Sequence, residues 1–395
     1  MHSQEIQKWG DPRSRGDGLS MPDDVKIIPH TNSIVNMENS IYADFEDVKA
    51  VSRLANVKQL GISRNCQDFI GANNGRYLHS LIFATRLDWL AREELVEYDL
   101  DRDLGVATAL VHDAATAPYS DSVSIPLNLD DQEYFKQVIG NSEKAMELLE
   151  EYEIDIKDVD SLVRGEDDSP LGQLIKNEDS IDLDGWSYVN IDSFYSNFVE
   201  RYPNVDPFES VDVVDGVVVF EDVEKVRRFL NLRRKMFKEM YKSERLKAKE
   251  VFFGELVKDM WDEGIIHGDN IFELMDPGFK RLCYDFDEER TREIFRLDGF
   301  EAYENFEAEK SIVEDLLSEQ TNERYILRED ISVSPNVDIP VLVDDEVRKY
   351  SDVNPYQTKE LEQELSSDNL VRVYGRSGSK ELEDAVERVK ERLEC

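Results

Sequence analysis

Helical spacing of apolar side chains constrains the fold of this chain more than any other feature of its sequence. Over residues 76–97 the apolar side chains recur every three or four positions, at Leu78, Leu81, Ile82 and Trp89. This spacing places them along one face of an amphipathic helix. The same pattern begins near Phe45 and returns over residues 141–200, from Glu221 to Trp261 and over residues 300–320. We therefore predict a mainly α fold.

One of these helices has a recognisable start. Asp103 precedes an apolar run that reaches Leu110. Aspartate is a preferred N-cap because its carboxylate accepts a hydrogen bond from a free amide of the first turn. We predict a helix that is capped by Asp103 and ends close to His112.

Two regions depart from the helical pattern. The β-branched runs Val211–Val214 and Val217–Phe220 flank Asp215-Gly216, a turn sequence that predicts a β-hairpin. Near the end, residues 325–343 and 370–374 favour strands, and residues 380–393 have helical spacing. We predict a loose lead-in, a helical core and a small α+β unit, over residues 1–40, 41–324 and 325–395 respectively.

The charge of the chain limits its partners. The sequence has 87 acidic and 47 basic residues, a formal net charge of −40. Such a field repels nucleic acids and anionic membranes, and is suited to high salt, where ions screen the self-repulsion. No apolar run approaches the roughly 18 residues of a membrane span, and residues 1–20 have no apolar signal core. We expect a cytoplasmic protein of a halophile, without membrane or nucleic-acid partners.

Histidine, rather than cysteine, is the candidate metal ligand. Three cysteines without CxxC spacing argue against a disulfide framework or a zinc–thiolate site. Of the five histidines, His79 and His112 lie on two predicted helices, and Asp113 follows His112. Two helices that each present a histidine can build a divalent metal site, which Asp184 would complete. Taken alone, the His-Asp pair favours a structural role, with Asp113 as a cap or turn residue.

Three blocks of sequence occur together in an order that is informative. The first reads RLANVKQLG over residues 53–61 and RYLHS over 76–80, and the second runs from His112-Asp113 to the PYS of residues 118–120. The third covers residues 182–192 and precedes the hairpin and the helix that bears Arg233 and Tyr241. Across residues 27–265 this set resembles the SAM-and-HD-domain dNTP triphosphohydrolases and their bacterial dGTPase-like relatives.

The resemblance implies an HD-domain helical bundle with one metal site. The positions that match the ligands of the family are His79, His112, Asp113 and Asp184. The cofactor implied is a divalent metal, either Mn, Mg, Fe, Zn or Ni.

The resemblance also implies a nucleotide pocket. The matching positions are Gln59 and Asp192 at the sugar 3′-hydroxyl, Leu60 and Tyr241 near the base, Tyr188 against the sugar, and Arg76 and Arg233 at the phosphates. Arg233 also falls within the apolar stripe of its own predicted helix, where an arginine needs a phosphate or carboxylate partner. A structural salt bridge is the alternative explanation for Arg233.

The sequence lacks histidines that the family commonly has for proton transfer. Thr116 and Asp121 stand where the family commonly has further histidines after the His-Asp pair. The departing alkoxide of a phosphoester usually needs a proton, so another group has to supply it. Asp121, or a carboxylate near Asp131, is the candidate replacement.

Three functions follow from these observations. The first is hydrolysis of a dNTP to deoxynucleoside and triphosphate, with Asp121 as the candidate catalytic residue. The second keeps the metal chemistry but acts on another nucleotide or phosphoester. The third is a nucleotide-binding sensor that has lost its catalytic histidines. All three imply a nucleotide or phosphoester ligand, and the resemblance adds homo-oligomers as a possible assembly.

Overall fold

The computed structural model describes residues 25–28, 33–36, 40–65, 74–177, 179–199, 205–296, 299–329, 338–365 and 371–393. The fold is mainly α with a small β component, as predicted. The helices are α1 Ile41–Glu46, α2 Lys49–Ser52, α3 Arg76–Trp89, α4 Arg102–Val111, α5 Asp121–Leu127, α6 Asp131–Gly140, α7 Glu143–Glu151, α8 Ile156–Arg164, α9 Pro170–Ile175, α10 Leu183–Tyr195, α11 Val223–Met236, α12 Glu244–Asp262, α13 Gly268–Ile271, α14 Asp276–Phe286, α15 Glu288–Ile294, α16 Lys310–Ser318, α17 Tyr350–Val353, α18 Pro355–Leu365 and α19 Lys380–Leu393. The strands are β1 Val25–Ile28, β2 Ser33–Asn36, β3 Val211–Val214, β4 Val217–Phe220, β5 Phe300–Phe306, β6 Tyr325–Glu329, β7 Pro340–Val343, β8 Glu346–Lys349 and β9 Val371–Arg376.

Helix α4 begins two residues earlier than the sequence suggests. Its N-cap is Asp101, whose carboxylate accepts a hydrogen bond from the amide of Leu104 at 3.0 Å. The predicted cap, Asp103, is wrong: it lies inside the first turn, where its carboxylate pairs with Arg102. Both aspartates suit a helix N-terminus, and Asp101 takes the cap because it has the extended backbone of a cap residue.

Helices α3 and α4 pack closely in the core. Every residue of α4 from Gly105 to Val111 is buried. A Cβ atom at Gly105 would lie 2.7 Å from the side chain of Leu87 on α3, so the absence of a side chain permits the close approach. The packing brings the histidine of each helix, His79 and His112, to the same side of the core.

Helix α10 presents three polar residues of the predicted site. Asp184, Tyr188 and Asp192 are four residues apart, so they follow one another along one face of the helix. The helix begins at Asp182, which accepts a hydrogen bond from the amide of Gly185 at 2.6 Å. Its other buried residues are mostly apolar and anchor it in the core.

The long helix predicted from Glu221 to Trp261 is wrong, because it consists of two helices. After α11 the chain forms a π-helical turn, Phe237–Tyr241, in which the amide of Lys242 bonds the carbonyl of Phe237 at 2.8 Å. This wider turn ends the helix, and α12 starts at Glu244. No glycine or proline marks the break, so the apolar spacing runs on through it.

The predicted hairpin is confirmed. Strands β3 and β4 pair antiparallel, and the turn residues Asp215 and Gly216 both have a positive φ, of 52° and 82°. This backbone suits a tight two-residue turn with an Asp-Gly sequence. Strand β7 pairs in parallel with β4 and antiparallel with β8, which gives a sheet of order β3-β4-β7-β8.

The helix predicted over residues 300–320 is wrong in its first part. Residues 300–306 form β5, which pairs antiparallel with β9, and only Lys310–Ser318 are helical. Phe300 stacks on Phe252 of α12 with ring centroids 3.9 Å apart, which fixes the strand against the helical core. The sheet β5-β9-β6 therefore includes residues upstream of 325. The division into domains at residues 41 and 325 stays a prediction.

The structure describes part of the predicted lead-in, and its helices can be compared with the length of a membrane span. Most of the predicted lead-in, including residues 1–24, lies outside the described residues; within it, β1 and β2 pair antiparallel. Among the described helices, none is long and apolar enough to cross a membrane.

Candidate metal centre

Three potential metal ligands converge between α3, α4 and α10. His79 lies on α3, His112 directly follows α4, and Asp184 lies in the first turn of α10. The Nε2 atom of His79 lies 3.1 Å from Nε2 of His112 and 3.0 Å from Oδ1 of Asp184. The Nε2 atom of His112 is 3.8 Å from the same oxygen. The ligand atoms of these residues are close enough to share one ion.

The outer nitrogen of each histidine ring is held by a hydrogen bond that defines the tautomer. Nδ1 of His112 lies 2.8 Å from the carbonyl oxygen of Ala109, so this nitrogen carries the proton and donates it. Nδ1 of His79 lies 2.7 Å from Oγ of Ser187, whose own proton is donated to the carbonyl of Asp184 at 3.0 Å. Ser187 therefore accepts from His79. Both Nε2 atoms are left as lone-pair donors that face each other.

These donors fit a divalent metal. Two unprotonated imidazole nitrogens and a carboxylate attract a cation, and nothing in this arrangement provides a proton between the two nitrogens. Burial lowers the pKa of His112, which also keeps its ring neutral and able to bind. His79, His112 and Asp184 would hold the ion.

Asp113 lies beside these donors but is turned towards an arginine. Its carboxylate oxygens are 3.6 Å from Nε2 of His112 and 3.9 Å from Nε2 of His79. Both oxygens also accept hydrogen bonds from Nη1 of Arg76 at 3.1 Å. Burial alone would raise the pKa of Asp113, but Arg76 and the two imidazoles outweigh it and hold the pKa below its usual range. Asp113 is thus ionised, and its role as a fourth ligand stays a prediction.

Arg76 organises this side of the centre. Its Nε donates to Oγ of Ser120 at 3.0 Å, and its Nη2 lies 3.6 Å from the carboxylate of Asp121. The guanidinium therefore contacts Asp113, Ser120 and Asp121 at the same time. In the structure Arg76 orients Asp113, and the phosphate contact predicted for Arg76 stays a prediction.

A second polar cluster surrounds Asp192, farther along α10. Its carboxylate accepts hydrogen bonds from Nδ2 of Asn74 at 3.1 Å and from the hydroxyl of Tyr241 at 2.9 Å. Burial raises the pKa of Asp192 to about 6, although both hydrogen bonds oppose the shift. The ring of Tyr188 meets that of Tyr241 edge-on, with centroids 6.3 Å apart.

The segment 58–60 joins this cluster through its backbone. The amide of Gln59 donates to the carbonyl of Asn74 at 3.2 Å, which places Gln59 and Leu60 next to the residue that bonds Asp192. The Oε1 atom of Gln59 is buried and makes no hydrogen bond within the described structure. A buried amide oxygen of this kind can accept a hydrogen bond from a ligand.

Arg233 faces the same region from α11. Its positive charge lowers the pKa values of Asp182, Tyr188 and Tyr241, although burial outweighs it and raises all three. Among the described residues Arg233 forms no ion pair, and its guanidinium lies 5.7 Å from the ring centroid of Phe237. The structural salt bridge considered for Arg233 is therefore absent from the described part of the chain.

Comparison with known proteins places the fold. No family profile matches the sequence. The chain is 23% identical over 256 residues to YwfO, an uncharacterized protein of Bacillus subtilis strain 168; the match covers 59% of this chain and 55% of YwfO, so the chain spans about half of that relative. A phosphohydrolase from Bacteroides thetaiotaomicron superposes with a TM-score of 0.70 at 16% identity, over 87% of this chain and 97% of its own. A hypothetical protein from Aquifex aeolicus gives 0.71 at 18% identity, over 89% and 96%.

The chain shares the fold of these two solved structures. The likeness covers 87% and 89% of this chain and nearly the whole length of each solved structure. At these identities the comparison concerns the fold, and the chemistry of the site has to be argued from its own side chains.

The two carboxylates considered for proton transfer have different surroundings. The side chain of Asp121 is 74% exposed and lies at the start of α5. Asp131 lies at the start of α6, and its buried Oδ1 has no hydrogen-bond partner among the described residues. Burial raises the pKa of Asp131 to about 7, with Arg76 opposing the shift and Asp113 and Asp121 adding to it. Asp131 can therefore hold a proton near neutral pH.

Three supporting residues were not anticipated from the sequence. Ser187 fixes the ring of His79, and Asn74 fixes Asp192. Asp276, which is fully buried, accepts hydrogen bonds from the amides of Tyr119 at 2.8 Å and Lys58 at 3.2 Å and so ties the two loops at the site together. The position of Ser187, one helical turn after Asp184, is the only one of these with a signal in the sequence.

Proposed function

We propose that this protein is a metal-dependent phosphohydrolase that cleaves dNTPs into deoxynucleoside and triphosphate. The observation that carries the proposal is the convergence of two proton-free imidazole nitrogens and a carboxylate, on the helix that also carries Asp192. The fold shared with the Bacteroides thetaiotaomicron phosphohydrolase supports the reaction class. The dNTP substrate rests on the resemblance of the three sequence blocks.

The residues of the centre each have a defined task. His79, His112 and Asp184 would bind the cation, while Arg76 keeps Asp113 ionised beside it. A divalent cation held there would activate water and neutralise charge on the phosphate. Because Ser187 and Ala109 hold the outer ring nitrogens, the imidazoles are oriented before the ion binds.

The polar cluster around Asp192 provides groups for the sugar. Asp192 accepts from Asn74 and Tyr241, and retains acceptor capacity for a sugar hydroxyl. The unpaired Oε1 of Gln59 is a second acceptor close to Asn74. A 3′-hydroxyl has a single proton to donate, so one of these acceptors receives it, and the Gln59 amide group can donate in return.

Arg233 is the arginine that is free to bind phosphate. Arg76 already serves Asp113 and Ser120, whereas Arg233 faces the pocket without an ion pair among the described residues. A guanidinium binds phosphate oxygens through two parallel hydrogen bonds, which also fixes their orientation. We assign the main phosphate contact to Arg233.

Asp131 supplies the proton that the leaving group requires. Water adds to the α-phosphorus as the bond from this phosphorus to the sugar O5′ breaks, and O5′ takes a proton to become the free hydroxyl of the deoxynucleoside. Asp131 is half-buried, and with a pKa of about 7 it carries a proton in part of the molecules at neutral pH. The charges of Arg76 and Asp113 both act on the pKa of Asp131, so this carboxylate lies close to the centre.

The test is a substrate panel followed by chromatography. The protein is purified in concentrated KCl, loaded with manganese and incubated with dNTPs, nucleoside monophosphates and cyclic nucleotides. The control carries His112→Ala and Asp113→Ala together. We expect deoxynucleoside and triphosphate from dNTPs with the native protein alone.

The other outcomes discriminate between the alternative functions. Hydrolysis restricted to another ester would retain the phosphohydrolase and replace the substrate. Tight dNTP binding without turnover, in folded and metal-loaded protein, would favour a nucleotide sensor. This alternative is specific because Thr116 and Asp121 stand where the family commonly has histidines. Hydrolysis that is equal in the control would contradict the proposed centre.

A further inference from the structure

The turn before α5 has a backbone conformation that its residue types disfavour. Tyr119 and Ser120 both have a positive φ, of 58° and 51°, and the ψ of Ser120 is −133°. Of the nine non-glycine residues with a positive φ in the described ranges, six are aspartate or asparagine, which tolerate it. Tyrosine and serine are less suited to this conformation, and glycine is the residue most often found there. The turn is therefore strained.

The surrounding structure holds this turn in place from two sides. The amide of Tyr119 donates to Oδ1 of Asp276 at 2.8 Å, and the side chain of Asp276 is fully buried. Gly61 packs against the turn so closely that a Cβ atom there would lie 2.3 Å from the carbonyl oxygen of Tyr119. Tyr119 and Ser120 are themselves at most 1% exposed. Strain that is held this firmly is typical of sites where the conformation serves a function.

The hydroxyl of Ser120 connects a neighbouring loop to Arg76. Its Oγ donates to the carbonyl of Lys58 at 3.0 Å and accepts from Nε of Arg76 at 3.0 Å. A carbonyl can only accept and an arginine Nε can only donate, so the direction of both hydrogen bonds is fixed. The Nη1 atom of the same guanidinium bonds both carboxylate oxygens of Asp113 at 3.1 Å. Ser120 is therefore one step removed from the carboxylate beside the metal donors.

Asp121 also contacts Arg76 but holds it more weakly. Nη2 of Arg76 lies 3.6 Å from the carboxylate of Asp121, whose side chain is 74% exposed. Ion pairs with an exposed partner contribute little, because solvent screens them. The hydroxyl of Ser120 lies at a bonding distance from Nε and belongs to a buried residue. Ser120 is the contact that fixes the guanidinium opposite Asp113.

We infer that Ser120 is a positioning residue of the metal centre and acts through Arg76 on Asp113. A planar guanidinium that is bonded at both Nε and Nη1 cannot turn without breaking one of these hydrogen bonds. Glycine would relieve the strain of the turn but would leave Nε of Arg76 without this partner. The strained conformation is thus retained for the hydroxyl that it aims at Arg76. The inference rests on the proposed metal centre, in which Asp113 lies beside His79 and His112.

The first test compares manganese affinity, measured by calorimetry on the full chain, with the midpoint of thermal unfolding. The variants are Ser120→Ala, which keeps the strain and removes the hydroxyl, and Ser120→Gly, which removes both. The matched control is Ser122→Ala, because Ser122 is a buried serine of the same segment whose Oγ accepts from the amide of Ile62 at 3.2 Å.

We expect manganese affinity to fall about tenfold in both Ser120 variants and to stay within about twofold of native in Ser122→Ala. Ser120→Gly should nevertheless unfold at a higher temperature than Ser120→Ala, because glycine adopts a positive φ without strain. Affinity that follows the unfolding midpoint across the three variants would overturn the inference, because Ser120 would then act only through the stability of the fold.

The second test is a double-mutant cycle that asks whether Ser120 acts through Arg76. Arg76→Met removes the guanidinium and keeps an unbranched side chain, and in this background Ser120→Ala should have no further effect on manganese affinity. Additive effects of the two substitutions would overturn the inference. Failure of dNTP hydrolysis would not affect it, because turnover is not measured. A native protein that binds no manganese would contradict the proposed centre itself, and this inference with it.

Discussion

The Nε2 atoms of His79 and His112 lie 3.1 Å apart, while the opposite nitrogen of each ring is held by Ser187 or by the carbonyl of Ala109. Two ring nitrogens that both present lone pairs at this distance repel each other unless a cation lies between them. The carboxylate of Asp184 completes the set of donors. The two Nε2 atoms and this carboxylate are therefore the basis of the proposed metal-dependent chemistry.

The first prediction concerns Ser187, which orients His79. Ser187→Ala removes the acceptor of the Nδ1 proton, so the ring can rotate or change tautomer. We expect manganese affinity to fall roughly 10–100-fold, the usual effect of removing a residue that orients a metal ligand. Ser193→Ala is the matched control, because Ser193 is a buried serine of α10 that bonds the carbonyl three residues back, as Ser187 does. Equal affinity in the two variants, measured by calorimetry, would argue against the tautomer assignment.

The second prediction separates the two candidate acids. Asp131→Asn removes the proton donor, and we expect kcat to fall by roughly 10²–10⁴-fold, the usual contribution of a general acid. Asp121→Asn should leave kcat within a few-fold of native, because Asp121 is largely exposed. Bound manganese, measured by mass spectrometry, should be unchanged in both. A large loss with Asp121→Asn and none with Asp131→Asn would reverse the assignment.

The third prediction concerns recognition of the sugar. Tyr241→Phe removes the hydroxyl that donates to Asp192 and frees this carboxylate to rotate. An intramolecular hydrogen bond contributes about 1 kcal/mol net, so we expect KM for a dNTP to rise about fivefold with kcat nearly unchanged. The preference over a 2′,3′-dideoxynucleotide should shrink as well. Tyr98→Phe, which removes a tyrosine–aspartate bond to Asp212, is the control. An unchanged preference would remove Asp192 from sugar recognition.

The fourth prediction is a pH dependence of stability that does not involve the metal centre. Asp206 pairs with Arg86 at 3.0 Å, yet burial outweighs the ion pair and raises the pKa of Asp206 to about 6. A raised folded-state pKa contributes stability that is complete below the unfolded value near 4 and is lost as the pH rises through 6. The contribution is about 3 kcal/mol, from roughly two pKa units.

The measurement is the free energy of unfolding of metal-free protein between pH 4 and pH 8, for the native chain and for Asp206→Asn. Other carboxylates titrate in both proteins, so the difference between the two isolates Asp206. We expect the native advantage to be largest at low pH and to decrease towards neutrality. An advantage that grows with pH would show that the Arg86 charge, and not burial, controls this carboxylate.

The mainly helical fold was predictable because apolar spacing reports which face of a helix is buried. The errors occur where that spacing is ambiguous. Phe300, Tyr303 and Phe306 are three residues apart and therefore resemble a helix, but stacking of Phe300 on Phe252 and pairing with β9 make this segment a strand. The break at Lys242 comes from a change in hydrogen-bond register, which leaves no trace in composition.

The site was predictable in its residue types and less so in their partners. The resemblance named His79, His112 and Asp184, and the structure brings these three together. Sequence alone did not indicate that Arg76 is committed to Asp113, because this requires the distance between the start of α3 and the end of α4. Asp276 illustrates the same limit, since it reaches the site from more than 150 positions along the chain.

The most direct test of the central claim is a titration of metal-free protein with manganese, following bound metal and nucleotide hydrolysis in the same samples. We predict that hydrolysis rises in proportion to bound metal and levels off at about one ion per chain, as expected for a single catalytic cation. The Asp184→Asn protein, folded by circular dichroism, should bind the ion weakly and remain inactive. Full hydrolysis without bound metal, or native activity and metal content in Asp184→Asn, would contradict the account.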